Sequence, residues 1–326
     1  MGLALELLKV TLLVAAGWAV TRALARAPAA LRHDVWLLVL IGALLVPAAE
    51  RWLPPVYVGL PDAWERWMAP TSGALGLALV LWAVGVLIWV ARVAPSLVLL
   101  RRIRARGEQW RSPAVDRALA EAARVAGVRR PITLLRSSDV QVPATWGVRR
   151  PVVVLPAAAA SWSPDRLRLV LLHELGHVRR QDVLVEGVLW LTETLYWFHP
   201  AVWFAAGRLR LERERACDEA VLATGARASD YCEHLVEIMR AATRSGRGAV
   251  VGATMAAPCT LEERVRAMLA GPARAPAARS RLATPLFVAG AVVIYAVGVL
   301  VPCIYSNDDA AAPAPRAALG HRAAQT

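Results

Sequence analysis

Apolar residues along the chain are gathered into long uncharged runs. Residues 73–91 carry no charge over 19 positions, close to the ~20 that a membrane-crossing helix needs. Residues 286–305 are equally free of charge, residues 2–21 are broken only by Glu6 and Lys9, and residues 35–49 form a shorter run of 15. The pattern predicts about four transmembrane helices. Between the third and fourth, from Arg101 to Arg281, it changes. Pro113–Val125 reads as a helix, and short β-like runs follow at 132–135, 140–142 and 152–155. Pro151 and Pro156 flank the last of these, which predicts an edge strand. Ser163, Pro164 and Asp165 are the residues that start helices, as cap, first-turn proline and first-turn acid. They predict a helix from Pro164 to about Gln181. Val183–Ala206 is apolar but interrupted at His199-Pro200, so it reads as a broken helix pair packed in the domain or at the bilayer surface. A further helix is expected from about Leu209 to Ala223, and a short amphipathic one at 261–269. The organisation is therefore three membrane helices in 1–100, a water-facing α+β domain in 101–281, a fourth span in 282–305 and a disordered extracytoplasmic tail in 306–326.

Composition sharpens this reading. Of 326 residues 57% are hydrophobic, and mean hydropathy is +0.44, above the 45–50% apolar content usual for soluble domains. The formal net charge is +13. Residues 101–281 hold 29 Arg against 18 acids, so +11 of that charge lies there. Membrane proteins keep such excess on the cytosolic side, which predicts a multi-pass protein of the inner membrane with its domain in the cytosol. Arg101–Arg106 (RRIRAR) suits anionic lipid headgroups. No recognition-helix or stacked-aromatic pattern accompanies the charge, so direct nucleic-acid binding is not expected. The four cysteines, at 217, 232, 259 and 303, form no CxxC pair, which excludes a Cys-rich zinc ribbon or a disulfide-stapled domain.

The chemistry lies in His173-Glu174-Leu175-Gly176-His177. Two imidazoles at i and i+4 sit on one helix face, as two ligands of a tetrahedral zinc ion require. Glu174 points about 100° away and can reach the attacking water instead of the metal. Glu186, Glu193, Glu212, Glu214 and Asp218 are candidates for the third ligand. Glu214 and Asp218 share a helix face, so Glu214 can bind the metal while Asp218 accepts the outer N–H of a ligand histidine. Glu193 is the runner-up, Glu212 faces elsewhere, and Cys217 is expected to be a buried structural residue. Glu174 would serve as general base, and Tyr196, His199 or Arg210 could stabilise the oxyanion. Val152, Val153, Val154 and Leu155 could bind an extended peptide by adding it to the sheet edge.

Five segments together resemble the BlaR/MecR-type integral membrane zinc metallopeptidases of bacteria: PATWGVRRPVVVLP (143–156), LLHELGHVRRQD (171–182), YWFHPAVWF (196–204), LRLERERACDEAVL (209–222) and LEERVRAML (261–269). The resemblance covers about residues 75–305. It implies a gluzincin-like, zincin-type metallopeptidase domain in the cytosol, one zinc ion held by His173, His177 and Glu214, and Glu174 as base. It also implies a regulatory role, in which an extracellular signal ends in cleavage of a cytosolic winged-helix repressor. The best-known members carry a penicillin-binding sensor after the last span. Here about twenty residues follow the fourth run, and a Ser-x-x-Lys nucleophile is missing because Lys9, with Glu6 before it, is the only lysine. The aromatic loop 49–72 reads as an interfacial anchor, or as the place where a separate sensor protein or a lipid-linked ligand acts on the loop and the spans. Two other functions fit the same residues: housekeeping proteolysis of membrane proteins, and a non-enzymatic receptor or scaffold with a vestigial zinc site.

Overall fold

The computed structural model describes residues 3–52, 56–60, 72–244, 258–271, 290, 292–294, 297 and 300–304. Helix α1 (Leu3–Ala23) packs on α2 (Ala29–Trp52), and α3 (Ser72–Arg106) runs for 35 residues. Among the described residues two helical stretches are long and apolar enough to cross a membrane, Ala29–Ala49 and Gly76–Arg106. The chain buries 61% of the first window and 6% of the second. The second therefore presents Leu77, Leu81, Leu87 and Ile88 outward, as a lipid-facing helix does. The run expected at 35–49 is longer than it reads, because Arg32, His33 and Asp34 continue α2 toward Ala29. Arg32 is tolerated there by pairing with the buried Glu212 at 2.7 Å. Helix α3 does not stop at Arg92 but carries the whole RRIRAR cluster, so the boundary expected at 100 falls inside a helix.

Most of the fourth expected span and all of the expected tail lie outside the described residues. Leu300–Ile304 is a strand (β6) rather than the end of a helix, paired in parallel with β1 (Val56–Leu60).

The second sheet contains β2 (Glu108–Gln109), β3 (Thr133–Ser137), β4 (Ala144–Trp146) and β5 (Val152–Pro156), in the order β2-β3-β5-β4. Here the sequence expectation is corrected: β5 is not an edge strand. It pairs with β3 in parallel and with β4 antiparallel, and all five residues are buried. Val153 and Leu155 face a core built with α4 (Pro113–Ala126) and α5 (Pro164–Arg180), while Val152 and Val154 face Ile103 at the end of α3. Burial on both faces is why the segment is continuously apolar. The prolines sit at its two ends, where a missing N–H costs the ladder least. The run at 140–142 is not a strand; pairing starts after Pro143, and β4 takes the edge.

Local chemistry sets the helix that carries the motif. Ser163 Oγ accepts from the Arg166 N–H and Pro164 occupies the first turn. Its end is sharp: Gln181 has φ 58°, an uncommon conformation for a residue with a Cβ, and α6 (Asp182–Leu195) starts immediately. The turn joining β4 to β5 needs Gly147, at φ 90° and with the Arg150 carbonyl 2.7 Å from where a Cβ would stand. The broken pair is observed as α6 and α7 (Pro200–Leu222). Helix α7 passes through Gly207 without a break, so it begins well before Leu209. A 3-10 turn at Ala157–Ser161 and helices α8 (Ala228–Arg244) and α9 (Pro258–Leu269) are further described elements. A separate apolar core joins Val10 and Val14 of α1, Trp36 and Leu40 of α2, Leu189 of α6 and Leu209 of α7.

Candidate metal and catalytic site

Helices α5 and α7 cross where Gly176 faces Cys217, whose Sγ lies 3.2 Å from where a Cβ on Gly176 would stand. That close approach brings His173, His177 and Glu214 together, with their ligand atoms within 4.8 Å of one another. The two Nε2 atoms are 3.2 Å apart. Glu214 Oε2 is 3.5 Å from His173 Nε2, and Oε1 is 3.8 Å from His177 Nε2. Each imidazole is held from behind. His177 Nδ1 lies 2.7 Å from Asp182 Oδ2. His173 Nδ1 lies 2.8 Å from the Tyr231 hydroxyl, which donates to Asp218 Oδ1 at 2.8 Å. Asp218 Oδ1 is also 3.3 Å from His173 Nδ1.

The cluster is almost wholly buried and highly charged. Arg264 of α9 grips Asp218 through Nε and a terminal nitrogen, both at 2.8 Å, and reaches Glu214 Oε2 at 3.2 Å. Burial pushes the His173 imidazole down, but Asp218 and Glu214 outweigh it and hold its pKa at about 9. Burial also opposes the charged form of His177, yet Cys217, Glu214 and Asp182 raise it well above 6.5. Burial would raise the Glu214 carboxyl, but His177, Arg264 and His173 hold it well below its usual range.

These residues fit a metal ion. Glu214 Oε1 is buried without a hydrogen-bond partner, with Arg213 Nε 3.5 Å away and His177 Nε2 3.8 Å away. It sits beside two imidazole nitrogens whose opposite ring nitrogens are already engaged. Two His and one Glu, each oriented by an outer partner, is a donor set suited to zinc.

Residues 62–268 match the family model described as BlaR1 peptidase M56. The chain belongs to this peptidase family. A stretch of 93 residues is 42% identical to the regulatory protein BlaR1 of Bacillus licheniformis, covering 28% of this chain and 16% of that protein. Another of 95 residues is 27% identical to the methicillin resistance mecR1 protein of Staphylococcus aureus, covering 29% and 16%. The protease HtpX of Pseudomonas putida (strain GB-1) is 32% identical over 108 residues, 31% of this chain and 35% of that protein. The aligned segments thus span well under two thirds of each of these relatives.

Within the M56 domain, Glu174 is buried and Thr145 of β4 donates to its Oε2 at 2.6 Å. The motif helix is thereby tied to the edge strand. A cavity of about 410 Å³ opens along this junction, and its lining includes Leu97 and Leu100 from α3, Trp190 from α6, and Ile238 and Met239 from α8. One wall is therefore the apolar helix α3.

Three residues named as oxyanion candidates do not line that cavity. The Tyr196 hydroxyl donates to the Ala43 carbonyl, and His199 Nε2 lies 3.2 Å from the Leu7 carbonyl, both against the N-terminal helices. Arg210 clasps Glu193 at 2.6 and 2.9 Å, which also removes Glu193 from the cluster. Val152–Leu155 is enclosed in the sheet, so the free edge beside the motif is β4. Arg213, Tyr231 and Arg264 do line the cavity. Asp182 had a signal, an acid five residues past His177 just after the basic pair Arg179-Arg180. Tyr231 and Arg264 had no spacing that pointed to them.

Proposed function

We propose that the chain is a membrane-embedded zinc endopeptidase that hydrolyses peptide bonds of a cytosolic protein. The observation that carries this is the junction of His173, His177 and Glu214 with Glu174 beside the free edge of β4. His173, His177 and Glu214 would hold the ion, one per chain. Zinc supplies Lewis acidity toward the scissile carbonyl and the attacking water. Edge strand Ala144–Trp146 receives the substrate backbone as an added strand, and apolar side chains settle against Leu100, Trp190 and Ile238. Glu174, its Oε2 fixed by Thr145, takes the proton from the attacking water and delivers it to the leaving amine. Asp218 and Asp182 keep the imidazoles oriented. Arg213, Tyr231 and Arg264, rather than Tyr196, His199 or Arg210, are the polar groups near enough to the cavity to stabilise developing negative charge.

The substrate in this reading is a DNA-binding repressor of the winged-helix type, cleaved when a separate sensor protein acts on the membrane helices. The names of the regulatory protein BlaR1 and the methicillin resistance protein support it. The likeness to protease HtpX favours a second reading, clearance of membrane proteins. A vestigial site is disfavoured by the intact ligand set and its engaged outer partners. One experiment separates the two protease readings: capture of substrates by Glu174→Gln in the native host, identified by mass spectrometry. A repressor enriched over a wild-type control supports the first; a broad set of membrane proteins supports the second. No enrichment, together with zinc absent from the wild type, would refute the peptidase assignment.

A further inference from the structure

Helices α6 and α7 meet at a non-helical corner, Tyr196–His199, far from the metal cluster and beside the membrane helices. The Tyr196 hydroxyl donates to the carbonyl of Ala43 at 2.9 Å. Ala43 lies 14 residues past Ala29, about 21 Å along α2, deep within a span of the ~30 Å hydrocarbon layer. His199 meets Leu7 and Thr11 of α1, with Nε2 3.2 Å from the Leu7 carbonyl and 3.4 Å from Thr11 Oγ1. On the other side, the Trp82 indole of α3 donates to the Leu195 carbonyl at 2.9 Å, and the Trp197 indole donates to the Trp82 carbonyl at 3.3 Å. Gly85 makes the approach possible, since a Cβ there would overlap the Trp197 ring.

Much of the corner's irregular backbone is also satisfied within the protein. Three of its carbonyls are taken up inside the protein, Leu195 by Trp82, Tyr196 by the His199 N–H, and Trp197 by the Trp203 indole, while His199 Nδ1 is buried without a hydrogen-bond partner. Irregular backbone survives at membrane depth only under such satisfaction. Between 183 and 206 the charged side chains are Glu186 and Glu193, and both are neutralised by Arg210 and Arg213. Thr192 and Thr194 donate back to their own helix, to the Val188 and Trp190 carbonyls. The outward side chains of the pair include Leu184, Leu191, Trp203 and Phe204, all exposed.

We propose that α6 and the first half of α7 form a re-entrant hairpin, entering the hydrocarbon layer beside α1, α2 and α3 and turning at Tyr196–His199. Its occupant face, Leu184, Leu191, Trp203 and Phe204, touches lipid acyl chains, continuous with the exposed face of α3. Asp182 and Glu214 lie at the open end of the hairpin. The metal cluster is therefore held at the membrane surface, and only a polypeptide brought to that surface reaches Glu174. The inference rests on α2 and α3 as membrane spans, not on catalysis.

The test uses full-length protein in phosphatidylglycerol/phosphatidylcholine vesicles, with Cys259 and Cys303 replaced by Ser. A spin label is placed at Leu191→Cys or Phe204→Cys, with Leu87→Cys on α3 as lipid reference and Glu233→Cys on α8 as water reference. The buried Cys217 and Cys232 are controlled by the unsubstituted parent. Collision with oxygen and with a water-soluble nickel chelate is read for each label. Both hairpin labels are expected to match the Leu87 label, with oxygen access at least several times chelate access. Chelate access like that of the Glu233 label would overturn the proposal. Low access to both reagents would overturn lipid as the occupant and leave a protein-covered face. If the Leu87 label is also open to the chelate, the span reading fails with it. Loss of proteolysis without a change in these accessibilities would bear on the peptidase reading alone.

Discussion

Substituting Gly176 by Ala tests whether the α5–α7 crossing sets the metal ligands. In a solvent-exposed or loosely packed helix this change stabilises by about 0.5–1 kcal/mol, because glycine loses more backbone freedom on folding. Here the new Cβ would lie 3.2 Å from Cys217 Sγ, 3.5 Å from its Cβ and 3.8 Å from its Cα. Carbon contacts are optimal at about 3.5–4.0 Å, so only the sulfur is too close. Sγ cannot move freely, since it also packs 3.5 Å from His177 Nδ1. Overpacking of this kind costs about 1–3 kcal/mol. Gly176→Ala should therefore be neutral to destabilising by up to about 2 kcal/mol, the crowding less the helix gain. Against Cys217→Ala the same change should be stabilising, giving a coupling of about 1–3 kcal/mol. Glu214 stands one turn before Cys217, so separating the helices also draws its carboxylate from the imidazoles. Zinc affinity should fall in Gly176→Ala and recover in the double variant. The cycle is read by detergent-micelle unfolding and by chelator competition. Equal stabilisation in both backgrounds would show that the helices do not meet as described.

Three further outcomes follow from the site. Arg264→Gln should weaken zinc binding by about 10–100-fold, as loss of an outer partner does, and Arg264→Lys should not restore it because lysine lacks the fork that spans Asp218 and Glu214; unchanged affinity by chelator competition would remove Arg264 from that role. Thr145→Val should lower kcat by about tenfold at full zinc content, and an unchanged kcat would detach Thr145 from the base. In the metal-free chain the raised His173 pKa of about 9, against ~6.5 when unfolded, contributes stability below pH ~6.5 that is lost as pH rises through the folded value. Zinc takes the neutral imidazole, so the melting shift on adding zinc should grow from pH 6.5 to 9, and a shift that shrinks over this range would contradict the cluster's electrostatics.

What was legible in the sequence was local. His173 and His177 are one turn apart on a helix whose cap, proline and first-turn acid are contiguous, so a dozen residues define both element and chemistry. Glu214 and Asp218 were legible for the same reason, through a shared helix face. The errors arose where a short pattern had two tertiary meanings. VVVLP between prolines suits an edge strand, but unbroken apolarity across both faces of a strand reports burial on both, and that signal outweighed the prolines. Helix α2 reads short in the sequence because Arg32 looks like an end to the apolar run. Its guanidinium is accommodated by Glu212, 180 residues away, and no window along the chain contains both. The same pairing has a consequence for the site. Glu212 also receives Arg215, which holds Glu263 of α9, and the neighbouring Arg264 holds Asp218 and Glu214. The Arg215–Glu263 pair is part-exposed, but the enclosed pairs Arg32–Glu212 and Arg264–Asp218 are poor sources of stability, because desolvation offsets most of the attraction. Their geometry is nonetheless strict, since breaking one member strands a buried charge. Ion pairs therefore run from Arg32 of α2 through Glu212 and Arg215 to Glu263, and the next residue along the chain, Arg264, holds Asp218 and Glu214, so the N-terminal end of α2 is tied to the cluster through positions rather than through net energy.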